Sequence, residues 1–238
     1  PFPRTFGTLL IQAGLDYYNG DLSATSFDRT EAIDAFVRYV QLYRDYGLPV
    51  YYDFANRFRT GEMPVGIASY TTFNFLAIFA PEIRNLWEMR PIPGVLRPDG
   101  TVDRGEEGYG SACVAFGKVA DPEAAFSFLR WWTGAEAQAR FGREMESLMG
   151  PAARHPTANL AAFEQMPWSA EEARRLTAQR AQLREQPEIP GSYFVSRNLT
   201  NAVVETVFEG RNILETLEKY NKYINEEIRR KRLEFGME

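Results

Sequence analysis

The side chains able to do covalent or metal chemistry are few. Histidine occurs once, as His155, and cysteine once, as Cys113. A serine nucleophile needs a base positioned beside it. With a single His and no Gly-x-Ser-x-Gly turn, that arrangement is missing. One His and one Cys also exclude a zinc site built on those residues and any internal disulfide. No Gly-x-x-x-x-Gly-Lys-Ser/Thr loop or Gly-x-Gly-x-x-Gly turn is present to cradle phosphates. Asp103, Glu106 and Glu107 form a carboxylate grouping of the kind a glycosidase uses. They fall in a Gly- and Asp-rich turn, which reads better as a solvated loop or a weak Ca²⁺ contact. The expectation is a protein with no catalytic residue, no metal and no cofactor.

What remains is binding chemistry. Aromatic residues make up 14% of the chain. Most of them must serve the core, so abundance alone selects none as a binding residue. Net charge is −5, and four of the 27 basic residues are lysines. An acidic balance argues against a nucleic-acid binder, which needs an excess of Lys and Arg to neutralise phosphates. The longest apolar stretch, Phe73 to Phe79, is interrupted by Asn74 and stopped by Pro81, far short of the roughly 18 residues of a membrane span. The chain opens Pro-Phe-Pro-Arg without a basic leader or cleavage site, so it reads as a segment of a longer chain whose addressing sequence lies elsewhere.

The elements that must position these side chains are mostly helical. Asp28 and Glu31 stand in capping-box spacing before Ile33, Phe36, Val37, Val40 and Tyr43, which recur at helical period until Gly47 and Pro49. Thr71 to Phe79 reads as a helix halted by Pro81. Asp121-Pro122 is a cap followed by proline at the first helical position, and Ala125, Phe128, Leu129 and Trp132 give that helix a buried face. Another helix follows from about Gly134. Ser169 and Glu172 form a second capping box. From Ser192 the chain is helical with a break near Gly210, and Leu214, Leu217, Tyr220, Ile224 and Ile228 form one stripe. Short strands are expected at Val65–Ser69, Leu86–Ile92 and Tyr109–Gly117, with a turn at Arg97–Thr101. The fold class is therefore α/β, helix-rich with short strands.

Several phrases go beyond pattern. Residues 54–70 (FANRFRTGEMPVGIASY) are followed by RPIPG at 90–94, GYGSACVAF at 108–116 and DPEAAFSFLRWWT at 121–133, with Gln138 five residues on. In this order they resemble the extracellular solute-binding proteins of bacterial ABC importers of the maltose-binding type, a family of carbohydrate-binding lipoproteins. The tail YINEEIRRKRLEF at 223–235 is similar to that of larger members. The resemblance implies a type II periplasmic-binding-protein-like fold, in which two α/β lobes close on a ligand, with this chain supplying mainly the C-terminal lobe. It implies that 1–105 and 152–238 belong to that lobe, that 106–151 cross over into the N-terminal lobe, and that the rest of the N-terminal lobe lies outside this chain.

The same resemblance implies the binding residues. Tyr70, Thr71, Phe73 and Asn74 occupy a strand-to-helix turn at the cleft, Tyr109 the crossover, and Tyr193 and Arg197 a later helix start. Thr5 and Phe6, where the lobe begins, are weaker candidates. Aromatic faces would stack on sugar rings while polar groups fix hydroxyls. Trp131, Trp132 and Trp168 invite a sugar-platform reading, but Trp132 lies on an apolar helix face and is expected in the core; Trp87 has no strong motif support, and His155 reads as structural or solvated. The implied function is capture of a sugar or oligosaccharide and delivery to importer membrane subunits, by a monomer in the periplasm or on the outer face of the cell membrane. Two alternatives stand beside it: a binding protein for a non-sugar solute, and a helical protein–protein interaction module using the 214–228 stripe and the basic run Arg229–Arg232.

Overall fold

A computed structural model describes residues 2–237. It is helix-rich, with very short strands. The chain separates into two compact units, one made of residues 1–51, 93–108 and 182–238, the other of 52–92 and 109–181.

In the first unit, α1 (Phe2–Gln12) and α2 (Thr30–Arg44) pack on each other and on α9 (Tyr193–Val207), and α10 (Ile213–Glu234) packs on α2 and α9. The core is aromatic as much as aliphatic. Phe6, Phe27, Phe36 and Tyr39 are fully buried together with Leu10, Val40, Leu199, Leu217, Ile224 and Ile228. Phe6 meets the rings of Phe27 and Phe36 edge-on at 5.5 Å each, the offset geometry that aromatic quadrupoles favour. Leu217, Ile224 and Ile228, three of the five residues of the predicted C-terminal stripe, are thus spent inside their own unit. Phe6, offered above as a binding candidate, is a core residue only 1% exposed and packed among other rings.

Capping was legible in part. α2 begins after Arg29 with no side-chain cap, not at Asp28 as the Asp28/Glu31 spacing predicts. Asn212 caps α10 by accepting from the Glu215 N–H at 3.1 Å. The predicted turn at Arg97–Thr101 closes a two-stranded antiparallel hairpin of β1 (Val95–Leu96) and β2 (Val102–Asp103), with Gly100 at φ +83°. β3 (Glu106–Gly108) pairs in parallel with β4 (Leu183–Glu185), and α1 lies on β3. The three carboxylates have structural surroundings here. Asp103 is paired with Arg97, which holds its carboxyl below the usual range. The buried Glu107 accepts from the Tyr17 hydroxyl at 3.3 Å, and Glu106 sits in the β3 ladder.

The second unit contains α3 (Phe54–Arg59), α4 (Thr71–Phe79), α5 (Pro122–Thr133), α6 (Ala135–Met149), α7 (Leu160–Phe163) and α8 (Ala170–Arg180). Asp121 and Pro122 open α5 as expected, with Asp121 accepting from the Ala124 N–H. Ser169 and Glu172 close a full capping box on α8. The predicted strands do not form. Val65 is 81% and Ile67 62% exposed, and Leu86–Ile92 and Tyr109–Gly117 carry no strand either. A strand exists only by exchanging hydrogen bonds with a neighbour, and among the described residues none lies alongside these segments. The apolar face predicted for α5 is likewise open: the helix has no buried residue, and Trp132, expected in the core, is half-exposed.

The contacts divide the chain elsewhere than at 105/106 and 151/152. Residues 52–92 group with 109–181 because α4 packs on the 3-10 turn Pro151–Ala153 and because Phe73 touches rings on both segments.

Candidate functional site

Within the second unit, Tyr70 is the residue preceding α4, and Phe73 and Asn74 follow it at three and four positions. That spacing puts the three on one face of the helix start. Tyr70 lies 6.1 Å from the Trp168 ring. Phe73 sits between Trp168 at 5.8 Å and Trp87 at 5.2 Å. Phe58 meets Trp87 edge-on at 5.4 Å, and Phe163 lies 6.3 Å from Trp168. These centroid separations are those of interacting rings. Local structure explains how the rings are held. Pro81 stops α4, and Gly66 admits the Phe54 ring where any Cβ would clash with it. Trp168 stands immediately before the Ser169 cap of α8, so a rigid helix start fixes its backbone.

Two arginines flank the rings. The Arg154 guanidinium lies 4.3 Å over Trp168 and is held by Glu146 in a two-armed pair at 2.6 and 2.8 Å. Arg180 lies 4.7 Å over Phe163 and donates to the carbonyls of Thr157 and Ala158 at 3.3 and 3.2 Å. No carboxylate pairs with Arg180 among the described residues, and its Nη1 is buried without a hydrogen-bond partner in the protein. Burial raises the Tyr70 phenol above its ordinary range, while the Arg180 charge pulls it the other way.

Asn74 completes the group. It is 1% exposed, and neither its Oδ1 nor its Nδ2 has a protein partner. Native proteins satisfy nearly all buried polar groups, so an unpaired buried amide is the kind of local cost that functional sites retain.

Of the candidates named from the sequence, Tyr70, Phe73 and Asn74 come together here. Thr71, at the same helix start, is exposed, its hydroxyl 2.5 Å from that of Ser69. Tyr109 lies on the exposed, irregular run 109–119. Of its flanking glycines, Gly108 serves the β3–β4 pairing, where a Cβ would approach Leu183 to 3.3 Å. Tyr193 and Arg197 belong to the first unit, exposed on α9, and the Tyr193 hydroxyl is engaged by the Glu227 carboxylate. Thr5 lies on α1 in that unit. The sequence left Trp87 without motif support and named Trp168 only as one of several tryptophans that could serve as a platform, and Arg154, Arg180 and Phe163 went unseen. Trp168 carried one signal, its place directly before a capping box.

A second aromatic surface lies in the same unit. Arg130, Trp131, Trp132 and Phe141 line an open hollow of about 560 Å³. Arg140 and Glu144 pair in its lining at 2.8 Å, and among the described residues its walls hold no buried polar atom without a hydrogen-bond partner. His155 supports this region from beneath. It bonds Gln138 at 2.8 Å and meets Phe141 edge-on at 5.0 Å, a structural role. Among the described residues no group of His, Cys, Asp or Glu is arranged to hold a metal ion, and no helix is long and apolar enough to cross a membrane.

The cluster thus combines flat rings, a buried amide without a protein partner and a guanidinium that no carboxylate pairs with among the described residues. No protein-family profile matches the sequence, and no curated protein matches it. Solved structures do match. The sugar-binding protein MalE from the phytopathogen Xanthomonas citri aligns over 100% of this chain and 58% of its own, with TM-score 0.73 and 16% identity. An ABC transporter solute-binding protein from Thermotoga lettingae, bound with α-D-tagatose, aligns over 94% of this chain and 56% of its own, with TM-score 0.67 and 15% identity. The chain thus spans under two thirds of the length of these proteins. At such identity the likeness establishes the fold: type II periplasmic-binding-protein-like, helix-rich with short strands, as the sequence implies.

Proposed function

We propose that this chain is part of the substrate-binding component of an ABC importer, and that it captures a sugar or oligosaccharide on the patch formed by Tyr70, Phe73, Asn74 and Trp168. The observation that carries this reading is the grouping of the Tyr70, Phe73 and Trp168 rings at the start of α4, where Asn74 on the same helix start keeps an amide without a protein partner. Rings supply the apolar face of a pyranose with a stacking partner, and the amide, with one acceptor and two donors, matches hydroxyls that are both donors and acceptors. The shared fold of two proteins described as sugar- or solute-binding supports the same class. On this reading Thr71 and Tyr109 are secondary contacts, the protein acts as a monomer in the periplasm or on the outer face of the membrane, and it passes its ligand to the importer's membrane subunits without chemistry.

The test is calorimetric titration of the chain with a panel of mono- and oligosaccharides, followed in parallel by tryptophan emission. Saturable binding, weakened tenfold or more by Tyr70→Ala or Trp168→Ala but not by Trp131→Ala, supports the patch. Saturable binding lost only in Trp131→Ala would move the site to the hollow on α5 and α6. No saccharide binding, with binding of a polyol or peptide, would leave a solute-binding protein of another specificity.

A further inference from the structure

Among the described residues, no carboxylate answers the charge of Arg180. A guanidinium half-withdrawn from water is costly unless a counter-charge accompanies it, and the other arginine at the patch shows the usual solution, since Arg154 is gripped by Glu146. Arg180 has instead two weak carbonyl acceptors, a ring beneath it and a buried Nη1 with no partner. The carbonyls of Thr157 and Ala158 and the Phe163 face fix its plane without neutralising it. Phe163 touches Trp168, and Trp168 touches Tyr70, so this oriented charge borders the rings that would stack on a ligand.

We infer that the ligand of this site is an acidic saccharide, and that Arg180 is the specificity-determining residue that pairs with its carboxylate. A carboxylate matches a guanidinium in plane, shape and single charge. A phosphate dianion would call for a second free cation, and Arg154 is already neutralised. The ring of a uronic acid differs from that of its parent sugar at C6 alone, where a carboxylate replaces a hydroxymethyl group, so stacking is common to both and the charge discriminates.

This inference rests on the saccharide-binding reading above, and the experiment separates the two. Glucuronate and galacturonate are titrated against glucose and galactose in the full 238-residue chain, in Arg180→Gln, in Arg180→Lys and in the surface control Arg140→Gln, at low and at physiological salt. The expected result is binding of at least one uronate tenfold or more tighter than of its neutral parent. That preference should vanish in Arg180→Gln, persist in part in Arg180→Lys, remain in Arg140→Gln and shrink with salt. Neutral sugars binding as tightly as uronates, or Arg180→Gln weakening both equally, overturns the acidic-ligand assignment and leaves the saccharide reading standing. Binding of neither class removes both.

Discussion

The Arg154 guanidinium lies 4.3 Å above the Trp168 ring while both of its arms are held by Glu146. The ion pair is largely buried, with side-chain exposures of 9% and 13%. Trp168 therefore has one face covered by a clamped cation, and its position depends on a carboxylate from α6. This link ties α6 to the segment before α8 and makes the patch a built assembly.

Glu146→Gln should expose that dependence. Removing one member of a buried pair strands the other charge, at a cost of about 3–5 kcal/mol. The expected outcome is a lowered denaturant midpoint together with a shift in tryptophan emission. Replacing both partners with apolar residues, as in Glu146→Leu with Arg154→Met, should recover most of the stability, because no charge is then stranded. A double variant as unstable as Glu146→Gln alone would show that the pair's geometry, and not its charge balance, is what the unit needs.

A second prediction uses the lone histidine. Burial lowers the His155 pKa from an ordinary value of about 6.5. The unfolded chain therefore binds the proton more readily than the folded one. The contribution to stability is present above about pH 6.5 and is lost as pH falls from there through the lower folded-state value. Denaturant melts from pH 7.5 downward should show this decline, and His155→Gln should flatten it. With no other histidine in the chain, a slope that persists in the variant would have to come from carboxylates and would refute the assignment.

A third concerns the first unit. Gly191 has φ +92°, and a Cβ there would come within 2.9 Å of the Ile228 Cα, a backbone atom of α10. Gly191→Ala combines a strained backbone with a contact that no side-chain rotation relieves, a cost of about 1–3 kcal/mol from strain alone. The thermal midpoint should fall, while saccharide binding at the Tyr70 patch should survive wherever the protein remains folded. Equal stability of variant and parent would mean that the segment before α9 shifts freely.

These cases show what could be read in advance. Helices were legible where a local signal was complete, as with Asp121-Pro122 and the Ser169–Glu172 box, because caps act within one turn. The expected strands failed because the alternation of Val65, Ile67 and Ser69 specifies a strand only when another strand lies beside it. The observed strands, of two or three residues each, are too short to carry a period. At the patch, Tyr70, Phe73 and Asn74 were legible because they share one helix start. Trp168, Arg154 and Arg180 were not, because they meet those residues only through tertiary packing.

The last prediction separates binding from stability at Asn74. A buried amide without partners lowers stability, because its lost hydration is not replaced. Leucine has nearly the same shape and no polar atom. Asn74→Leu should therefore raise stability by about 1 kcal/mol, read as a higher denaturant midpoint in the absence of ligand. If the amide serves a ligand's hydroxyls, the same change should weaken saccharide binding tenfold or more. Asn74→Asp should destabilise instead, because it buries a charge beside an aromatic cluster. A more stable Asn74→Leu protein that bound saccharides as well as the parent would show the amide to be a tolerated defect of packing. The patch would then rest on its rings and Arg180 alone.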